Sequence, residues 1–211
     1  ATDFGDMTNG RDSTIGMSNN TYAVFADQYV MRYVTIASTG NSSAWGNMQE
    51  LRNAGVSCAS PTYGFFAQRN AFTNKIEYIT FSSTGNSATW GNLTTSSSSG
   101  SGASSSTRGL AQLAYNASYT ALTQVDYFGL SSTGNASDFG DLTAARSSIH
   151  EGTSNATKAI FAGGYSDAST ARVKNIDVFT IASTGNASDF GDLLANSVSH
   201  ASTSNAHGGL S

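Results

Sequence analysis

Three histidines, one cysteine and 14 carboxylates make up most of the conventional catalytic chemistry in these 211 residues. His150 and His200 stand at equivalent places in two small-residue stretches, Arg146-Ser-Ser-Ile-His and Ser197-Val-Ser-His, so two imidazoles could line one channel and attract a metal or an anion. Zinc sites take three or four protein ligands. No carboxylate recurs at that place and His207 lies outside the pattern, so water-bonded imidazoles are the plainer reading and no metal or cofactor is expected. Asp6, Asn47, Asn92, Asp141 and Asp192 each follow an aromatic-Gly pair. Calcium needs six to eight oxygens gathered in one loop, whereas these residues are spread one per repeat, so turn capping is expected of them. No phosphate loop, nucleophile motif or spaced pair of carboxylates is visible. The Asn-x-Ser/Thr triplets are copies of one turn sequence and weak signals for glycosylation. A chain without catalytic residues is the expectation.

The elements that position these residues are set by a repeat. The phrase Ile181-Ala-Ser-Thr-Gly-Asn-Ala-Ser-Asp-Phe-Gly-Asp-Leu193 returns with small changes, its glycine falling at Gly40, Gly85, Gly134 and Gly185, in steps of 45, 49 and 51 residues. Periods of that length mark propeller blades or solenoid units. Before each turn lies a β-branched and aromatic run: Tyr33–Ile36, Ile76–Phe81, Val125–Phe128 and Ile176–Ile181. Alternating apolar residues of these types predict strands. Ser-Thr-Gly-Asn should reverse the chain, with φ > 0 at Gly and Asn bonding to nearby backbone. A short outer strand follows, with Phe4, Trp45, Trp90, Phe139 and Phe190 as packing anchors. Two further strands complete each unit. One is small-residued and suits a crowded inner position, including the linker-like Thr94–Thr107 stretch; the other is apolar, as in Thr62–Ala67 and Thr157–Ala162. The fold class expected is all-β, a β-propeller-like array of four-stranded antiparallel blades. It forms one repeat domain over 1–211, with repeats at 1–42, 43–87, 88–136 and 137–187 and a partial one at 188–211. The chain enters mid-repeat at Ala1-Thr-Asp-Phe-Gly-Asp, so a part of something longer is expected.

Arg146 opening one strand, Ile160-Phe-Ala-Gly-Gly164 closing another, Ile176-Asp-Val-Phe179 and Phe190 at the usual Trp position resemble the kelch repeat of galactose-oxidase-like β-propellers. The third unit loses the Arg, only the fourth keeps the Gly-Gly pair, and Phe replaces Trp in three of five places. A copper-radical enzyme of that family needs a cysteine beside a tyrosine together with His and Tyr ligands. Cys58 and Tyr63 lack such a set, and Cys58 reads as a small buried residue. The wording of the repeat also resembles kelch-like repeats in structural and fibre proteins of tailed, marine bacteriophages. That resemblance implies a virion or extracellular location, other virion proteins or copies of the chain as partners, and host-surface glycan recognition. The alternative is a secreted carbohydrate-active enzyme or lectin on the same scaffold.

Composition narrows the partners. A formal charge of −4 without Lys/Arg clusters argues against a phosphate-driven nucleic-acid surface. With 38% hydrophobic residues and no long apolar run, the chain has enough for a core and nothing to insert in a membrane. Single Cys58 forms no internal disulfide. The informative contrast lies between the uniform Ser-Thr-Gly-Asn turns and the connections from second to third strand, Asp27–Val30, Gln68–Asn74, Asn116–Leu122 and Gly163–Lys174, which vary in length and chemistry. Variable loops on a rigid base are where function diversifies. Tyr29, Arg69, Phe72, Tyr119, Tyr165, Asp167 and Arg172 are therefore the expected binding residues, on the face opposite the uniform turns.

Overall fold

The computed structural model describes residues 2–8, 14–52, 55–68, 72–149, 152–199 and 201–202. They form an all-β structure of successive antiparallel sheets, each built from strands adjacent in sequence. The first sheet holds β1 (Ile15–Ser18), β2 (Tyr22–Thr35) and β3 (Ser43–Arg52); the second β4 (Val56–Ala59), β5 (Tyr63–Ala67), β6 (Thr73–Thr80) and β7 (Ala88–Ser97). The third holds β8 (Ser101–Ser104), β9 (Arg108–Gln112), β10 (Gln124–Gly129) and β11 (Ser137–Asp141). The fourth starts with β12 (Gly152–Ser154) and β13 (Lys158–Ala162). A two-stranded hairpin, β14 (Tyr165–Ser166) with β15 (Ala171–Arg172), then precedes β16 (Asn175–Thr180) and β17 (Ser188–Asp192). Each sheet takes its outer strand from the repeat that follows its other strands.

The first sheet departs from the others only in name. A straight strand as long as β2 would span about 46 Å, yet the Ile36 N–H donates to the Thr21 carbonyl at 2.9 Å. β2 therefore doubles back, with Gln28 at φ +52° in its middle; its first half pairs with β1 and its second with β3.

Inner strands β1, β4, β8 and β12 lie against one another in that order. Small residues permit the approach: Ser57 Oγ donates to the Gly16 carbonyl at 2.9 Å, Ser104 Oγ to the Ala59 carbonyl at 3.1 Å and Ser154 Oγ to the Ser104 carbonyl at 2.7 Å. The linker-like serine stretch becomes β8, buried along its whole length. Between successive sheets lie three apolar clusters. The first is centred on Trp45, Phe66 and Phe81, the second on Phe65, Trp90 and Phe128, and the third on Phe139, Phe161 and Phe179. Cys58 sits in the second, where burial pushes its thiol pKa far up. The described residues do not close a ring.

The aromatic-Gly signature has a mechanical cause. In every sheet the ladder between third and outer strand slips at this point: Ile76 faces Gly91 while Glu77 faces Thr89, and Val125 faces Gly140 while Asp126 faces Asp138. Trp90 and Phe139 are thus the extra residues of β-bulges, which turn a side chain out of the regular alternation. Trp45 and Phe190 hold the same place. The bulged rings of Trp45, Trp90 and Phe139 are 4%, 5% and 3% exposed beneath the next sheet. Phe4 and Phe190, expected to be anchors as well, are 41% and 62% exposed; among the described residues no sheet precedes the first and none follows β17.

The Ser-Thr-Gly-Asn segment has a different role from the one its composition predicts. Gly40 and Gly185 adopt the expected positive φ, +158° and +156°, whereas Gly85 and Gly134 do not, and the reversal itself occurs earlier, around residues 36–38 in the first unit, where Ser38 N–H donates to Thr35. Asn41, Asn86, Asn135 and Asn186 each accept, through Oδ1, the backbone N–H of Asp6, Asn47, Asn92 and Asp141 in the preceding outer segment, at 2.9, 2.9, 3.0 and 3.1 Å. The same segment donates N–H bonds to the outer backbone, Gly134 to Trp90 and Gly185 to Phe139 among them. The glycine after each aromatic is obligatory for this approach. A Cβ on Gly5, Gly46, Gly91 or Gly140 would lie 2.0–2.4 Å from the carbonyl oxygen of Gly40, Gly85, Gly134 or Gly185. These segments are clips between units, which Asp6, Asn47, Asn92 and Asp141 join through their backbone N–H; the Asp141 carboxylate also accepts from Thr123 Oγ1 at 2.6 Å, and Asp192 pairs with Lys174 at 2.9 Å.

A buried carboxylate forms a second clip. Glu77 accepts the Gln49 N–H at 2.9 Å, Asp126 the Thr94 N–H at 2.7 Å and Asp177 the Thr143 N–H at 2.9 Å, each donor belonging to the preceding sheet. Asp177 is also paired with Arg146, Nη2 to Oδ2 at 3.1 Å, both side chains buried. Burial lowers the Arg146 pKa while Asp177 acts in the other direction. Ser97, the last residue of β7, stands toward the third sheet where Arg146 stands toward the fourth, and burial raises the Asp126 pKa against the hydrogen bonds from Thr94 and Gln124.

Candidate recognition surface

Turns alternate between the two ends of an antiparallel sheet, so the second-to-third-strand loops emerge at the end away from the Ser-Thr-Gly-Asn clips. The returns from outer to next inner strand share that end. Backbone strain gathers there. All eight non-glycine residues with positive φ among those described, Gln28, Gln68, Phe72, Ser99, Tyr119, Ser148, Thr170 and Ser199, lie in these two sets of connections. Left-handed backbone costs of order 1 kcal/mol for ordinary residues, and such strain collects at binding sites held by a rigid surround.

The floor of this end is a polar relay between sheets. Gln68 Oε1 accepts the Gly100 N–H at 2.6 Å while its Nε2 donates to the Gln112 carbonyl at 2.9 Å; Gln112 Nε2 in turn donates to the Arg146 carbonyl at 3.1 Å. Above it the loops fold inward. Tyr115 exchanges backbone bonds with Ser98 at 3.1 and 3.2 Å, and Tyr165 with Ser147 at 2.8 and 2.9 Å.

Several of the expected residues are brought together. The Phe72 ring meets the edge of Tyr119, centroids 5.0 Å apart, and Tyr119 lies 6.4 Å from Tyr115, so loops of the second and third sheets share an aromatic group. Tyr119 is 68% exposed at its crest. Asp167 links the fourth sheet to the third by accepting the Ala121 N–H through Oδ2 at 2.8 Å. Tyr165 and Arg172 face each other across the β14–β15 hairpin, Arg172 exposed and Tyr165 half-buried. Tyr29 is exposed at the fold-back of β2, apart from this group. Arg69 lies outside the described residues, as do His150, His200 and His207. Sequence reasoning missed Tyr115, whose only signal was an aromatic two places after the apolar Leu113.

At the clip end, Ser105, Thr107, Arg108, Ala156, Ile181 and Ala182 line a shallow recess of about 230 Å³, and Tyr33–Ser43 a smaller one of about 130 Å³. Both fall below the roughly 300–1,000 Å³ of typical small-molecule pockets. Arg108 is already engaged there, stacked over Tyr127 at 5.1 Å and donating to the Ile181 and Ala182 carbonyls at 3.0 and 2.9 Å. Among the described residues no three His, Cys, Asp or Glu side chains gather as a metal site, and no helix is long and apolar enough to cross a membrane.

No protein-family model and no curated protein matches the chain. Among solved structures, that of YjhT is similar, with a TM-score of 0.73 over 90% of this chain and 68% of the other, at 8% identity. At that identity the likeness is one of fold: the chain shares the architecture of YjhT.

Proposed function

We propose that the chain is a non-catalytic recognition module of the kelch-like β-propeller type whose strained loop end binds a surface glycan, as part of a bacteriophage virion fibre or appendage. The propeller reading is supported by inner strands that adjoin in order while apolar clusters fill the space between successive sheets. The virion assignment rests on the wording of the repeats. The observation that carries the binding reading is the convergence of Phe72, Tyr115, Tyr119 and Asp167 from three sheets onto one end. Aromatic faces stack on the apolar face of a sugar ring, while Asp167 and the exposed Arg172 supply an acceptor and donors for hydroxyls.

Tyr119→Ala and Arg172→Ala test this on glycan arrays and whole host cells. Each should weaken binding by about 1–3 kcal/mol if it is a hot spot, with the unfolding midpoint unchanged. Binding that survives both changes but disappears with Arg108→Ala, at the clip end, would sink the assignment of faces.

A further inference from the structure

The recess lined by Arg108 lies at an internal junction, between the third sheet and the fourth. The junction before it shows what Arg108 replaces. Tyr63 opens β5 as Arg108 opens β9. The Tyr63 ring packs on Trp90, centroids 5.4 Å apart, and Trp90 Nε1 donates to the Gly129 carbonyl at 3.1 Å. Phe139 has the Trp90 position at the next junction and carries no N–H. There the half-buried Arg108 reaches across instead, Nη1 donating to the Ile181 and Ala182 carbonyls at 3.0 and 2.9 Å with the guanidinium 5.1 Å over the Tyr127 ring. These contacts fix the head group while using one of its three nitrogens. Nε and Nη2 remain, and their N–H groups form the edge that grips a carboxylate with two parallel bonds. Among the described residues nothing accepts from that edge and no carboxylate pairs with Arg108. A hydroxyl lines the same recess. Ser105 Oγ accepts the N–H groups of Thr107 and Arg108 at 3.3 and 3.2 Å, so its own proton goes to Thr107 Oγ1 at 3.4 Å and the Thr107 proton is left to donate.

We propose that this recess is a binding site for one carboxylate group, held by Nε and Nη2 of Arg108 and by the Thr107 hydroxyl. Arg108 is the only charged residue lining it, which matches a monoanion better than the doubly charged sulfate. Ala156, Ile181 and Ala182 give the carbons next to the acid group apolar walls. At about 230 Å³ the recess takes a small acid and not a ligand of ordinary size. Such a group is carried by a sugar acid or by a simple aliphatic acid. The site lies at the clip end of the sheets and is independent of glycan binding at the loop end.

Backbone amide NMR of the full chain, read at Thr107 and Ala182 during titration with glucuronate or propionate at constant ionic strength, tests this. A saturable shift is expected with the acids and none with glucose or propionamide, which lack the charge. Tighter binding of glucuronate assigns a sugar acid, and tighter binding of propionate an aliphatic one. Arg108→Lys keeps the charge but loses the fork, and should weaken binding roughly tenfold or more. Ala156→Phe fills the recess from an exposed wall position without touching the bonds of Arg108. It should abolish binding and leave the thermal midpoint unchanged. The proposal is overturned if neither acid gives a saturable shift, if propionamide or glucose gives an equal one, or if sulfate binds more tightly than both acids. Binding that survives both Arg108→Lys and Ala156→Phe overturns it as well.

Discussion

Replacing Gly91 with Ala isolates the clip from every other contribution to packing. Gly91 does not have positive φ, so the backbone accepts a side chain there. The added Cβ, however, would lie 2.0 Å from the Gly134 oxygen and 2.5 Å from its carbon, both main-chain atoms that cannot rotate away. The second and third sheets must separate locally, which endangers Gly134 N–H to Trp90 O at 3.1 Å, Ala136 N–H to Asn92 O at 2.8 Å and Asn92 N–H to Asn135 Oδ1 at 3.0 Å. At about 0.5–1.5 kcal/mol net for each bond, their loss comes to roughly 3 kcal/mol, and partial uncovering of Trp90 brings the total to about 3–5 kcal/mol. Gly129→Ala is the control, since nothing lies within 4 Å of its Cβ position; a change within about 0.5 kcal/mol is expected there. Urea titration followed by tryptophan fluorescence measures both. Equal costs for the two variants would refute the view that the clip, rather than the apolar cluster alone, holds the sheets together.

Arg146→Met leaves Asp177 buried without its cation and should cost about 3–5 kcal/mol in the same titration. Asn135→Ala removes one acceptor from an exposed N–H and should cost only about 0.5–1.5 kcal/mol, leaving glycan affinity unchanged. Asp126 should give the protein a pH signature. Its folded pKa is raised above the unfolded value, so the folded chain holds the extra proton and the contribution of this group falls as pH rises from the usual carboxylate range, near 4, through the raised value. Stability of Asp126→Asn relative to the parent should therefore increase across that window; a difference constant with pH would contradict the assignment.

Residue order alone determined the period, the strand character of most segments and the inner position of the small-residue stretches, because glycine spacing, β-branched runs and side-chain size are local properties that read directly as backbone preference; Arg146, expected to open a strand, instead precedes β12, which begins at Gly152. Even Ser101–Ser104, a linker by composition, was identified as a strand from its place in the repeat. What Asn135, Gly91 and Asp126 do was not legible. Each acts on a residue 30 to 45 positions away in the neighbouring sheet, and no local preference distinguishes an Asn that bends its own turn from one that accepts a bond from Asn92. The bulge that throws Trp90 outward belongs likewise to the pairing of β6 with β7, not to either strand by itself. At the loop end the variable residues could be named from sequence, but only packing decided that Phe72 meets Tyr119, that Tyr115 joins them and that Tyr29 does not, since loop conformation is set by neighbouring sheets. Phe139 and Phe190 make the same point most sharply: both occur in Ser-Asp-Phe-Gly-Asp, yet one is buried and the other exposed, because burial depends on whether another sheet lies beyond.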